Sequence, residues 1–320
     1  MSWFIFALLC TLFWGFADLF YKKSSDENEK YSHLKIAVWV GMIMGVCSIL
    51  LLIFSDDKMT LSALLSNAVK YLPASLSYII SMVIGYAGLR YLELSIVSPV
   101  QNASGALSAV VMLLYFILIG RINNFFDEFS VLDIIGTVII VFAVISLAIV
   151  EHNLYQKTLT KKENSKYRYG ALALLFPLLY CVFDTIGTAA DGIILSDSSG
   201  LSLSEIDVII LYGLTFFLVS VALYVFLFVK EKKPYNPFSK SELPKMSAAI
   251  CEEGGQVFYV FAMARNPVLS APMVASYCIV SVILSKILLK EKLTTSQYSC
   301  VLFVILGIVI LGVSEGISNI

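Results

Sequence analysis

Ten apolar stretches, each near or above twenty residues, run through this 320-residue chain at positions 2–21, 34–54, 69–90, 94–119, 129–150, 169–193, 206–229, 246–264, 268–289 and 296–314. A helix rising about 1.5 Å per residue needs roughly 20 residues to cross about 30 Å of hydrocarbon. Each stretch is therefore read as a span. Apolar residues make up 59% of the chain and charged residues 14%, too little polar surface to cover a soluble globule of this size. In lipid, a backbone must satisfy its own hydrogen bonds, which a helix does. The sequence predicts an all-α membrane protein with ten transmembrane helices. The first stretch has no basic residue before it and no small-x-small cleavage pattern, so it is read as a retained span rather than a signal peptide.

The stretches fall into two sets of five. The one long polar connector, Glu151–Arg168, separates a first repeat (1–150) from a second (169–320). A shift of 166 residues lays Ala7-Leu8-Leu9 on Ala173-Leu174-Leu175, Trp14 on Tyr180 and Asp18 on Asp184; a shift of 173 lays Pro99 on Pro272 and Ser108 on Ser281. After a further two-residue adjustment, Ile134-Ile135-Gly136 falls on Ile305-Leu306-Gly307. Five is odd, so the second copy enters from the other side and the repeats are inverted. The basic residues agree. All but four of the 22 lysines and arginines lie in or beside the odd-numbered connections; Lys58, Lys70, Arg121 and Arg265 are the exceptions. The positive-inside bias then puts the odd connections in the cytoplasm and both termini outside, in a plasma-membrane protein.

Composition also excludes chemistry. His33 and His152 are the only histidines and both fall in or beside loops, so a histidine metal site or a serine–histidine nucleophile has no material; no metal and no cofactor are expected. Cys10, Cys47, Cys181, Cys251, Cys278 and Cys300 occupy different stretches without a CxxC pair and read as small packing residues. No GxxxxGK[ST] loop occurs for ATP, and no basic cluster with interleaved aromatics for nucleic acid. Two aspartates in helices invite comparison with intramembrane aspartyl hydrolases, but the YD and GxGD signatures of that chemistry are absent.

The polar residues inside the spans are the candidate site, because a charge at membrane depth is costly and normally faces a bundle interior or an aqueous cavity. Asp184 lies about 22 Å in from one face and Asp18 about 25 Å from the other, so the repeat-related pair flanks the midplane. Asp184 and Asp191 share a helical face with Pro177 and Thr188, Asp191 toward the outer end as a solvated helix terminus. Asp18 stands four residues before Lys22, which permits a salt bridge within the helix. Glu252 and Glu253 are adjacent, so their side chains diverge by about 100° and one faces the bundle while the other meets a neighbour. Gln256 follows them, and Gly254-Gly255 beside them reads as close helix packing. Gln101, Asn102, Ser104 and Ser108 form one polar stripe, and Tyr277, Ser281 and Ser285 another; small hydroxyl residues also let helices approach. Trp14, Tyr78 and Tyr180 are candidate cavity walls.

The stretch APMVASYCIVSVILSKILLKEKLTTSQYSCVLFVILGIVILGV (271–313) resembles the C-terminal half of an EamA-type repeat of the drug/metabolite transporter superfamily. It has a proline near the helix start, a Lys290-Glu291-Lys292-Leu293-Thr294 turn and a glycine-rich last helix. The first copy (98–140) keeps Pro99 and Gly136 but puts Gly120-Arg121-Ile122 at the turn, and FWGFADLFYKK (13–23) is similar to the family's Trp-Gly opening with its following lysine. The resemblance implies a transporter and leaves the cargo open. Acids at the Asp18 and Asp184 positions are not part of the common pattern. Deep acids without a deep arginine favour cationic, zwitterionic or neutral cargo, or protons as coupling ion, over phosphates. The expectation is a proton-coupled secondary transporter, not an enzyme, exporting small metabolites, amino acids or cationic drugs. Its partners are a small-molecule substrate and the lipid bilayer, with no nucleic acid. The alternatives are an uncoupled facilitator of neutral sugars or other small metabolites and, in a different class, a non-transporting receptor or assembly protein.

Overall fold

The computed structural model describes residues 2–25, 29–55, 60–92, 94–123, 125–159, 175–196, 203–231, 235–237, 239–290 and 293–318. Among the described residues the regular elements are all helical: α1 (Trp3–Ser24), α2 (Ser32–Phe54), α3 (Leu61–Leu89), α4 (Leu94–Leu118), α5 (Phe125–Glu128), α6 (Val131–Leu159), α7 (Leu175–Leu195), α8 (Glu205–Glu231), α9 (Leu243–Arg265), α10 (Pro267–Ala275), α11 (Tyr277–Leu284) and α12 (Thr295–Ser318). Most of the expected connector, 160–168, and the Glu291-Lys292 part of the ninth-to-tenth turn lie outside the described residues.

Nine helices among the described residues are long and apolar enough to cross a membrane. Their outward faces are apolar, with Phe54 77%, Leu118 84% and Leu218 70% exposed, surface that lipid covers and water would not. This is a multi-pass integral membrane protein. The eighth predicted stretch forms a helix of full length, α9, but carries Lys245, Glu252, Glu253, Gln256 and Arg265 along it, which keeps it out of the apolar nine.

Three helices differ from the sequence expectation, one of them α6, which runs past the predicted end at 150 to Leu159, into the first part of the expected connector. The ninth stretch is not one α-helix: α10 stops at Ala275, Ser276 turns back onto Met273 through its backbone N–H (3.2 Å) and Oγ (2.5 Å), and α11 restarts at Tyr277 before a π-helical turn over Ser285–Leu289. Pro272 removes an N–H one turn before the break. Helix α3 starts eight residues earlier than the apolar run, at Leu61, capped by Thr60 Oγ1 accepting from Ala63 N at 3.3 Å.

Tight helix crossings fix the bundle. A Cβ on Gly41 of α2 would lie 2.5 Å from the Phe216 carbonyl oxygen of α8 and 2.6 Å from Ser220 Cβ; one on Gly213 of α8 would strike Ser48 Oγ and lie 2.6 Å from the Met44 carbonyl of α2. Gly136 of α6 and Gly307 of α12 are equally close to each other's carbonyls, at 3.1 and 2.9 Å. Such small-residue contacts let membrane helices approach without a hydrophobic driving force between them. In the broader pairings α1 packs on α9 and α3 on α7, while α2 packs on α8, α4 on α10 and α6 on α12. Helix α4 ends at Gly120 (φ 73°) and the π turn at Lys290 (φ 60°), both left-handed, the conformation that terminates a helix.

Hydrogen bonds place the connections on two faces. On the lysine-rich face, Lys22 Nζ donates to the carbonyls of Leu89 (2.8 Å) and Leu92 (2.7 Å), and Arg90 donates to Lys30 O (2.8 Å). On the opposite face, Arg121 donates to Ser196 O (3.0 Å) and Arg265 lies 3.8 Å from Glu205. The start of α6 meets the end of α12 there through the Ser130 and Ser314 hydroxyls, 2.7 Å apart.

A buried ionic cluster closes the lysine-rich face between α2, α8 and α9. Lys35 Nζ lies 2.5 Å from Glu29 and 3.2 Å from Glu231; Lys245 Nζ lies 3.2 Å from Glu242 and 3.7 Å from Glu29. Tyr235 Oη donates to Glu242 at 2.6 Å. Burial first, then the bond to Glu242, push the Tyr235 phenol above its ordinary range, so it stays a neutral donor. Lys245→Ala leaves the Glu242 carboxylate buried without its cation, and a loss of about 3 kcal/mol is expected. A fall in the thermal unfolding midpoint in detergent, smaller for Lys35→Ala because Lys35 is the more exposed cation, checks it.

Candidate functional site

A cavity lies between α1, α3, α4, α7, α8, α9, α10 and α11, with about 780 Å³ of space between its lining atoms, including the part that opens to solvent. Among the described residues its acids are Asp18, Asp184 and Glu252, and no lysine, arginine or histidine lines it. Each helix supplies a stripe. Trp14, Asp18 and Tyr21 of α1 follow at offsets of four and seven, as do Glu252, Gln256 and Tyr259 of α9; Tyr180, Asp184 and Thr188 of α7 follow at four and eight. Offsets of four and seven return a side chain to one helical face.

Asp18 is buried, and its Oδ2 accepts from Ser98 Oγ of α4 (2.5 Å) and Ser281 Oγ of α11 (2.7 Å). The expected salt bridge to Lys22 gives way to this arrangement, because Lys22 reaches the end of α3 instead. Asp184 Oδ2 accepts from Ser104 Oγ at 2.6 Å. Asp18 and Asp184 thus meet hydroxyls on α4 and α11, the helices that carry Pro99 and follow Pro272. Glu252 Oε2 accepts from Tyr21 Oη (3.0 Å), to which Tyr86 Oη donates (3.1 Å).

Glu253 does not line the cavity. The 100° between neighbours turns it away from Glu252 toward Cys47 of α2, and its Oε1 has no hydrogen-bond partner. Asp191 corrects the sequence reading more strongly: it is no solvated helix end but 0% exposed, with Oδ1 accepting from Tyr71 Oη at 2.7 Å. Helix α7 runs four residues beyond it and α3 covers it, which the chain position of Asp191 could not reveal.

The predicted walls Trp14, Tyr78 and Tyr180 all line the cavity, as do Gln101 and Tyr277 of the two polar stripes. Trp14 stacks on Tyr259 (5.2 Å between centroids) and meets Tyr277 edge-on (5.7 Å), and its Nε1 donates to the Glu252 carbonyl at 3.2 Å. Gly255 exists for this contact: any Cβ there would strike the Trp14 ring. The related pair on the other side is Gly85 under Tyr180, where a Cβ would lie 2.7 Å from the ring. Sequence reading missed Tyr21, Tyr86, Tyr212 and Tyr259. Tyr21 stands beside Lys22-Lys23 at the end of its apolar stretch, and the others are single tyrosines in apolar helices. The available signal was spacing, since Tyr21 and Tyr259 stand three residues after Asp18 and Gln256.

The cavity is closed toward the face of Arg121 and Arg265. Tyr78 Oη donates to Thr188 Oγ1 (3.0 Å) and is in short contact with Tyr259 Oη, and Gly192 packs under Met112 and Pro267. On the other side Leu89, the last residue of α3, lines the cavity at the lysine-rich face. Chemically, this is a desolvated chamber of acids, aromatic faces and hydroxyls: rings attract cations and the acids supply negative charge or protons.

No curated protein matches this chain. Among solved structures, one crystal structure of a protein superimposes with a TM-score of 0.59 at 10% identity, covering 97% of this chain and 96% of that one, which is a likeness of fold along the entire chain. Residues 193–313, which include α8 through the glycine-rich part of α12, match the EamA-like transporter family.

Proposed function

We propose that this protein is a secondary-active transporter working by alternating access, with ten spans in two inverted five-helix repeats, 1–150 and 169–320, rocking about the central cavity. Contacts that survive exchange of the halves support the repeats: Gly85 with Tyr180 and Gly255 with Trp14, Gly41 with Phe216 and Gly213 with Met44, and the left-handed ends at Gly120 and Lys290. In the cell membrane the lysine-rich face is cytoplasmic and the termini are outside. The end of the cavity lined by Leu89 then faces the cytoplasm.

The observation that carries the reading is the cavity's charge. Three acids among aromatic rings, Asp18 and Glu252 buried and Asp184 half-buried, with no basic residue among the described lining residues, suit an organic cation or the amino group of an amino acid and disfavour phosphates. Asp18 and Asp184 are the candidate coupling acids, since a carboxylate that exchanges water for a closed site is a natural proton carrier. The protein acts as a carrier and not as an enzyme. The test is counterflow in proteoliposomes across amino acids, neutral sugars, tetraethylammonium and spermidine, with and without a pH gradient. Exchange of a cation or amino acid, driven by the gradient, is expected; no exchange by any solute favours a receptor or assembly role.

One observation favours a second reading, an uncoupled facilitator for neutral sugars. Gln101 and Gln256 line the cavity with buried Nε2 atoms that have no hydrogen-bond partner, and such donors suit hydroxyl oxygens. Sugar counterflow indifferent to the gradient would establish it.

A further inference from the structure

Asp191 is a second acid site that the cavity does not include. It is 0% exposed, Oδ1 holds the Tyr71 hydroxyl at 2.7 Å, and Oδ2 is buried with no hydrogen-bond partner. It stands seven residues after Asp184 on the same face of α7, with Thr188 between them. At that turn the Thr188, Tyr78 and Tyr259 hydroxyls form a layer, the Tyr78 donor reaching Thr188 at 3.0 Å. The cavity's acids are thus on one side of the layer and Asp191 is on the other.

The ionisable groups facing Asp191 are Tyr71 and Tyr78 from α3, Tyr212 from α8, Tyr259 from α9 and Asp184 from its own helix. The atoms nearest a Cβ on the neighbouring Gly192 belong to apolar residues, Met112 of α4, Met263 of α9 and Pro267 of α10. Of the described basic residues at this end, Arg121 lies on Ser196 O, Arg265 on Phe261 O and Glu205, and Lys70 is exposed on α3. A buried carboxylate with no cation in contact, met only by the Tyr71 and Tyr78 hydroxyls among the described residues, is a poorly compensated charge. The neutral acid, by contrast, fits beside the Tyr71 hydroxyl.

We infer that Asp191 is a proton-carrying site separate from the substrate cavity, sealed from it by the Tyr78–Thr188–Tyr259 layer and placed in proton exchange with water when that layer opens toward the opposite face. In the open state the carboxylate takes its proton from hydronium on the outer side, leaving water, which is the side on which a proton-driven exporter loads. The inference deepens the proton-coupled reading and rests on it for its role in transport, but the protonated state of Asp191 is a property of the closed protein alone.

Two measurements separate these. Infrared difference spectra of the purified full-length protein between alkaline and acid pH are expected to contain a protonated-carboxyl C=O band that Asp191→Asn removes. Tyr71→Phe is expected to move that band to higher frequency, because the hydroxyl bound to Oδ1 is gone; this second variant decides the matter should Asp191→Asn fail to fold. A carboxyl region unchanged by either substitution overturns the proposal. In proteoliposomes with an imposed pH gradient, wild-type accumulation of tetraethylammonium is expected to fall in Asp191→Asn to the level of empty liposomes, and accumulation at the wild-type ratio overturns the coupling role. If the wild type itself accumulates none, the transport reading is what fails, and the infrared pair still decides for or against Asp191.

Discussion

Replacing Asp184 by Asn is expected to cut gradient-driven uptake of a cationic substrate by about 10- to 100-fold, and Asp18→Asn by a similar factor, with the double variant inactive. Each substitution keeps the shape of the side chain and removes its negative charge. A charge-assisted hydrogen bond contributes about 1.5–3 kcal/mol, and each 1.4 kcal/mol is a factor of ten. The Asn amide still accepts from Ser104 at position 184 and from Ser98 and Ser281 at position 18, so folding is expected to persist. Initial rates in proteoliposomes at several pH values check this. Unchanged rates and pH profiles in both variants would sink the role of the acids.

Gly105→Ala is expected to be the most damaging of the packing changes. Its Cβ would strike Ala275 Cβ and lie 2.7 Å from the Ala271 carbonyl oxygen, where the obstacle is largely backbone with no flexible end to turn aside. Overpacking of this kind costs about 1–3 kcal/mol. Because Gly105, Ala271 and Ala275 all line the cavity, forcing α4 from α10 also deforms the site. A lower thermal midpoint and lost counterflow are expected together. Gly120→Ala, at an open left-handed position with nothing within 4 Å, is expected to lower the midpoint by less and to spare transport.

The spans were legible because lipid imposes one crude rule, roughly twenty apolar residues per crossing, and α1, α2, α4, α8 and α12 follow it closely. The break at Ser276 was not, since Pro99 sits in the related helix without breaking it; the difference arises from the residues after each proline and from the way Ser276 folds back on Met273. Within the site, Asp18, Asp184 and Glu252 announced themselves by being charged at membrane depth. Which of two adjacent glutamates faced inward was a matter of helix rotation, and rotation is set by neighbours such as Trp14 against Gly255. Asp191 was misread for the same reason: its distance from the helix end suggested water, and only α3, arriving with Tyr71, buries it. The tyrosines carried no individual signal because an aromatic ring in an apolar helix packs equally well outside or inside; their spacing from the acids was the readable clue.

The central claim is that this cavity opens alternately to the two sides of the membrane. Met82 lines it and is nearly buried, and its replacement by Cys keeps a sulfur at that position. With the six native cysteines substituted, labelling of Met82→Cys by a membrane-impermeant thiol reagent, applied from one side at a time, is the most direct test. The expected result is labelling from the lysine-rich side at rest and from both sides once a counterflow substrate is present. Labelling from a single side under every condition would contradict the account.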